Sequence, residues 1–342
     1  MRFTKMHGAG NDYIYVNCFE EHVGDPAALA VRLSDRHFGV GGDGVILVMP
    51  SDVADVRMRI FNADGSEAEM CGNGIRCVGK YAYEHGLAGK NARRADGAHL
   101  DTGSAPIGRE RVDYDEDVGA QSVPGAKHAG AWPGGGGPLT DICVESASGV
   151  KRLGLHVSGG KVESVTVDMG KPVCPDTFPE TISIAGIGQP EGAAKGVDLG
   201  FVAVDMGNPH AVYFIRKPAA DADGSFGVLT GGRGIDALDL DRIGPAFERH
   251  PRFPDRTNSE FVEVVDRGHI RMRVYERGSA ETLACGTGAC AAVVASVLMG
   301  YTDREVEVAL RGGTLSIRWD EATGTVYMTG PAVEVFTGEV AV

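Results

Sequence analysis

The sequence predicts an α+β protein made of two similar, mostly extended halves that face each other across a cleft. Three observations carry this. The stretch Glu67-Ala-Glu-Met-Cys71-Gly-Asn-Gly-Ile-Arg-Cys77 has an echo at Glu281-Thr-Leu-Ala-Cys285-Gly-Thr-Gly-Ala-Cys290, displaced by 285 − 71 = 214 positions. The same displacement lays Val56-Arg-Met-Arg-Ile-Phe61 on Ile270-Arg-Met-Arg-Val-Tyr275 without a gap. Each copy then reads as an alternating strand, a polar turn, a Cys-Gly-x-Gly corner and a helix. Other pairs extend the likeness: Gly10-Asn11 before Tyr13-Ile-Tyr-Val matches Gly207-Asn208 before Ala211-Val-Tyr-Phe, and Arg36-His37 matches Arg249-His250.

In chain order, Met1–Met6 and Tyr13–Val16 alternate as strands around a Gly-rich bend. Pro26 opens a helix to about Arg36, and Val45–Val48 forms a strand. Gly39, Gly41 and Gly44 have the spacing of a dinucleotide fingerprint, but a strand follows where a helix would have to present its N-terminus, so they read as loop formers. Strand 56–61 leads to Cys71 and a helix from Ile75 to His85, ended by Gly86. From Asn91 to about Pro138 the charged and Gly-rich composition gives little that could enter a core, and a mobile surface insertion is expected. Alternation resumes at Ile142, Leu153–Val157 and Val162–Asp168, and Met169–Pro172 reads as a hinge. The second half has its own insertion at about 217–234, strands near 261–265, 270–275, 305–310, 314–319 and 326–335, and one buried helix over Ala289–Met299.

Length and charge narrow the function. A chain of 342 residues allows two domains with a core each. A formal charge of −14 argues against nucleic-acid or anionic-membrane partners. The most apolar stretch, 289–299, is too short to span a bilayer, and no signal-like leader precedes the first strand, so a cytoplasmic location is expected. The seven cysteines are odd in number, which speaks against a disulfide framework.

The two cysteine corners carry the chemistry. A thiol just before a helix meets the unpaired N–H groups and positive end of that helix, which favour thiolate, and Gly-x-Gly lets an anion approach the same donors. Two such corners facing one ligand would hold a carboxylate from both sides and stabilise the enediolate formed when the adjacent carbon loses a proton. One sulfur can then remove that proton and the other return one to the opposite face, inverting the carbon. A zinc site or a redox pair would need C-x-x-C-type spacings, which Cys71/Cys77 and Cys285/Cys290 lack, so no metal is expected. Cys77 and Cys290 fall inside the helices and read as core.

At these residues the chain resembles the diaminopimelate epimerases. The matching blocks are Lys5–Asp12, Phe61–Ser66, Cys71–Arg76, Met206–His210, Arg256–Asn258, Tyr275–Gly278 and Ala284–Ala291. The resemblance implies a cofactor-independent isomerase that interconverts LL- and meso-diaminopimelate in lysine and peptidoglycan precursor synthesis, acting as a homodimer. It implies Cys71 and Cys285 as the acid/base pair, His210 and Glu276 beside them, and Gly72, Asn73, Gly286 and Thr287 on the reacting carboxylate and amine. Asn11, Asn62, Asn208, Asn258, Glu276 and Arg277 would hold the rest of the substrate. Related proline and hydroxyproline racemases share the paired cysteines but show Cys-Gly-His-Gly at the first corner, where this chain has Asn73; they are the alternative.

The resemblance further implies barrel-like domains wrapped on central helices: 1–170, 171–329, and a final strand, 330–342, returning to the first. Two departures stand out. Gly44 replaces a substrate-touching glutamine of some members, and Phe336 replaces a tyrosine that supports their dimer.

Overall fold

The computed structural model describes residues 1–88, 93–94, 132, 139–184, 197–216 and 233–341. The strands of the first part are β1 (Arg2–Gly8), β2 (Asn11–Asn17), β3 (Gly44–Met49), β4 (Val56–Asn62), β5 (Glu67–Ala68), β6 (Arg93–Arg94), β7 (Leu139–Ser146), β8 (Gly149–Ser158) and β9 (Lys161–Gly170). Those that follow are β10 (Glu180–Ile184), β11 (Val197–Asp205), β12 (Pro209–Arg216), β13 (Asn258–Asp266), β14 (His269–Glu276), β15 (Ala280–Thr282), β16 (Glu305–Leu310), β17 (Gly313–Trp319), β18 (Val326–Pro331) and β19 (Val333–Glu339). Four α-helices occur among the described residues: α1 (Pro26–Ser34), α2 (Gly72–Glu84), α3 (Leu240–Glu248) and α4 (Gly286–Leu298).

Strand pairing repeats itself. In the first part, β1–β2 is antiparallel, β2–β3 parallel, β3–β4 antiparallel and β4–β7 parallel. In the second, β11–β12 is antiparallel, β12–β13 parallel, β13–β14 antiparallel and β14–β16 parallel. The two runs join where β18 pairs antiparallel with β9, and β19 then crosses to pair with β1. The α+β expectation is met, with an open rather than closed strand system.

Helices α2 and α4 supply the cores. Strands β1–β4 and β7–β9 pack around α2, and β11–β14 and β16–β18 around α4. Helix α4 is apolar all round, which only a helix enclosed on every side tolerates. Small residues let the strands come close: a Cβ on Gly79 of α2 would lie 2.7 Å from Leu153 Cδ2. Both helices start and end 214 positions apart, at 72 and 286 and at 84 and 298.

Several expectations need correction. The first long helix begins at Gly72, not Ile75, and the second at Gly286, not Ala289. The glycines that look like a loop are the first helical turn, because the preceding cysteine caps it. Helix α3 was not expected. Asp239 caps it by accepting from Arg242 N, and Leu240, Ile243, Gly244 and Phe247 form its buried face. Pro245 inside it hides the signal, since proline ordinarily ends a helix. The stretch 326–335 is two strands broken at Ala332. The insertions at 91–138 and 217–234 lie almost wholly outside the described residues.

Candidate active site

Helices α2 and α4 meet end to end. A Cβ on Gly72 would sit 3.7 Å from Gly286 Cα, and one on Gly286 3.5 Å from Gly72 Cα. Each helix is capped by the cysteine before it, in extended backbone conformation: Cys71 Sγ accepts from Gly74 N and Cys285 Sγ from Gly288 N, both at 3.3 Å. Asn73 Nδ2 crosses between the corners to the carbonyl of Ala284 at 3.1 Å, one residue before Cys285. Gly72, Asn73, Gly286 and Thr287 are therefore brought to one place by two helix N-termini, where free N–H groups favour an anion.

The surroundings of the two sulfurs differ. Cys71 Sγ donates to Asn11 Oδ1 at 3.2 Å. Asn11 is held by its own donor, Nδ2 to Asp43 Oδ2 at 2.7 Å, and Arg36 bridges Asp43 and Asp12. Cys285 Sγ lies 3.5 Å from Thr287 Oγ1, and the neighbouring Glu276 carboxyl accepts from Thr282 Oγ1. Behind it, His210 Nδ1 is 2.7 Å from Glu260 Oε1 and its Nε2 2.9 Å from Asn208 Oδ1, with the His210 and Glu260 side chains fully buried.

Of the remaining expected residues, Asn258 donates to Pro209 O and accepts from Arg277 N, both at 2.9 Å, and Arg277 Nη1 reaches Asp255 O. Asn62 Nδ2 donates to Ser66 Oγ at 3.0 Å. Asn62 ends β4 as Glu276 ends β14, displaced by the same 214 positions. Gly44 has no room for a side chain here: a Cβ would lie 2.1 Å from Phe61 O and 2.8 Å from the Tyr13 ring. Tyr13 and His210 are counterparts, since Tyr13 pairs across to Gly44 as His210 does to Asn258.

Burial decides the titration. It pushes the Cys71 thiol up, against the Gly74 and Asn73 N–H groups that hold it down, with Glu276 raising it further and Arg76 lowering it. Cys285 is pushed well above its ordinary value by burial, then by Glu276 and Glu260. Burial also raises Glu276, which favours its neutral carboxyl beside Cys285. The expected lowering of the thiols by helix donors is thus present in kind but outweighed by desolvation.

Sequence reasoning missed four residues here: Asp43, Glu260, Arg76 and Tyr13. Glu260 had a readable signal, a carboxylate directly ahead of the apolar run Phe261-Val-Glu-Val and two residues after Asn258. Asp43 and Tyr13 were not separable from loop and core. Among the described residues no group of three or more His, Cys, Asp or Glu is placed to hold a metal ion, and no helix is long and apolar enough to cross a membrane.

Opposed helix mouths with a thiol at each, set in this strand-rich fold, define an isomerase of the epimerase class. The sequence model described as diaminopimelate epimerase matches residues 3–104 and 202–335. The chain is 47% identical to a diaminopimelate epimerase of Desulfovibrio desulfuricans, covering 99% of this chain and 98% of that one. It is 45% identical to the Acetivibrio thermocellus enzyme of that name, at 99% and 98% coverage. This chain belongs to the diaminopimelate epimerase family. Among solved structures, a probable proline racemase from Agrobacterium radiobacter K84 shares the fold at TM-score 0.59 and 15% identity, covering 99% of this chain and 92% of that one. A hydroxyproline epimerase from Agrobacterium vitis does so at TM-score 0.57 and 15% identity, covering 99% and 91%.

Proposed function

We propose that this chain interconverts LL- and meso-2,6-diaminopimelate by a two-thiol mechanism, without pyridoxal phosphate or metal. The observation that carries the reading is the approach of Gly72 to Gly286, which sets Cys71 and Cys285 as caps of two helices that end on each other. A substrate carboxylate between those ends accepts from both sets of N–H groups, which also stabilise the enediolate. The thiolate of one cysteine takes the α-proton. The thiol of the other gives its proton to the opposite face, so the carbon is inverted and the two sulfurs exchange protonation states.

In this reading Asn11 orients Cys71, while Glu276 and His210 serve Cys285. Asn62, Asn208, Asn258 and Arg277 hold the distal amino-carboxylate end, where an arginine and neutral amides match the ligand's charges and donors. The halves are 1–170 and 171–329, with 330–342 returned to the first. The enzyme works in the cytoplasm in lysine and peptidoglycan precursor synthesis. A homodimer is supported by β19, whose Val333, Val335 and Phe336 are exposed.

The test is turnover in deuterium oxide. LL-diaminopimelate should gain deuterium at the α-carbon, proline should not, and Cys71→Ala and Cys285→Ala should each abolish epimerisation. Full turnover by Cys71→Ala would refute the mechanism; exchange into proline alone would refute the substrate.

A further inference from the structure

Beside the cysteine corners lies a wholly buried arginine, Arg76, with 0% of its surface exposed. Its fork is engaged by neutral acceptors: Nη1 donates to Gly72 O at 3.2 Å, Nη2 to Asn73 Oδ1 at 3.0 Å and Nε to Pro331 O at 3.2 Å. Met328 Sδ lies 3.5 Å from Nη1. Among the described residues no carboxylate pairs with it. A buried cation without a counter-charge is costly, and a protein keeps one where a negative charge arises nearby.

The symmetry of the fold sharpens the point. The counterpart of Arg76 in α4, 214 positions on, is Cys290, a neutral core thiol. Thus, among the described residues, the buried guanidinium lies on the Cys71 side, whereas Glu276 and Glu260 crowd Cys285. Among the described residues, the titratable groups facing Cys71 are Tyr13 and Tyr15 from β2, Glu276 from β14, and Arg76 and Cys77 from its own helix. Of these only Arg76 is positively charged.

We propose that Arg76 is a positioning residue for the reaction, the standing positive charge that favours the Cys71 thiolate and strengthens the anion-binding donors of the α2 mouth. Two contacts give it this role. Gly72 O and the Asn73 N–H belong to one peptide unit, so donation to the carbonyl polarises that N–H toward the ligand. The bond to Asn73 Oδ1 also fixes the amide whose other end reaches Ala284 O, tying the Cys71 corner to the Cys285 corner. The inference rests on the two-thiol reading above.

Alkylation of the native enzyme by iodoacetamide across pH, read at each cysteine by mass spectrometry, tests it without relying on turnover. In Arg76→Met the midpoint for Cys71 should rise by about one pH unit or more, that for Cys285 should move far less, and the acid limb of kcat/KM should rise with Cys71. Arg76→Lys keeps the charge and loses the fork, so its Cys71 midpoint should stay near wild type while kcat falls. A folded Arg76→Met with unchanged Cys71 midpoint and pH profile overturns the proposal. If Arg76→Met does not fold, Arg76→Lys decides alone: a Cys71 midpoint raised by a unit or more despite the retained charge overturns it. Full turnover by Cys71→Ala would instead refute the two-thiol reading, and the alkylation midpoints would still report on Arg76.

Discussion

Ile46 and Glu260 occupy equivalent places in the doubled fold, 260 − 46 = 214 positions apart, each beneath the second glycine of a cysteine corner. A Cβ on Gly74 would meet Ile46 Cδ1 at 2.7 Å, and one on Gly288 would meet Glu260 Oε1 at 2.8 Å. One half therefore backs its thiol with a methyl group and the other with a carboxylate, a difference that makes two similar corners chemically distinct.

Glu260→Gln should lower the pH at which Cys285 is alkylated, because Glu260 is among the charges that raise that thiol and its removal eases ionisation. Replacing the carboxylate that His210 Nδ1 contacts at 2.7 Å should also reduce kcat, by about 100-fold at the low end of general acid–base contributions. Site-resolved alkylation and steady-state rates check both.

Gly286→Ala should separate stability from activity. Its new methyl would lie 3.0 Å from Met328 Sδ, a flexible side chain able to shift, but also 3.5 Å from Gly72 Cα, in the gap between the helix ends. Denaturant unfolding should show a loss of roughly 1 kcal/mol, at the mild end of overpacking. The rate should fall on the order of 100-fold, as for a misplaced reacting group.

Asp43→Ala should act through Asn11. Without the Asp43 acceptor, the amide can turn and offer its NH2 group, rather than its oxygen, to Cys71. The Cys71 alkylation midpoint should shift and kcat drop about 10-fold, as when a general acid–base group loses its orienting partner. Stability should change by only about 1 kcal/mol, since the carboxylate is partly solvated.

Both catalytic candidates titrate above the ordinary thiol value, so kcat/KM should climb from neutral into alkaline pH as the base thiol ionises, then fall as the acid thiol does. A maximum below pH 6 would contradict this assignment. Stability should move the other way. Cys77 and Cys143 are pushed up to about 11, and Cys18 and Cys290 up to about 12, mainly by burial. Their folded values exceed that of an unfolded thiol, about 8.5, so their contribution is complete below that pH and is lost as pH rises through 11 and 12. Thermal melts from pH 7 to 11 check it.

The duplication, both cysteine corners and most strands were legible because each is a local pattern: alternation for strands, Cys-Gly-x-Gly for the mouths. Helix α3 was not, since Pro245 imitates a stop and its buried face is recognised only against the Tyr275 ring, which a Cβ on Gly244 would meet at 2.1 Å. Gly44 read as a loop former, whereas it opens β3 with its neighbours pressed against it. The early start of α2 and α4 was also hidden, because a cysteine side chain rather than Ser or Asp supplies the cap.

Taken alone, the residue order determined that the chain carries one strand–corner–helix unit twice, and that each unit presents a thiol ahead of a helix. Folding decided what surrounds each thiol: Asn11 and Arg76 at one, Glu276, Glu260 and His210 at the other. Spacing along a chain records which backbone shapes recur. The charge felt by a sulfur depends on side chains brought near it from distant strands, and on how much water their packing removes.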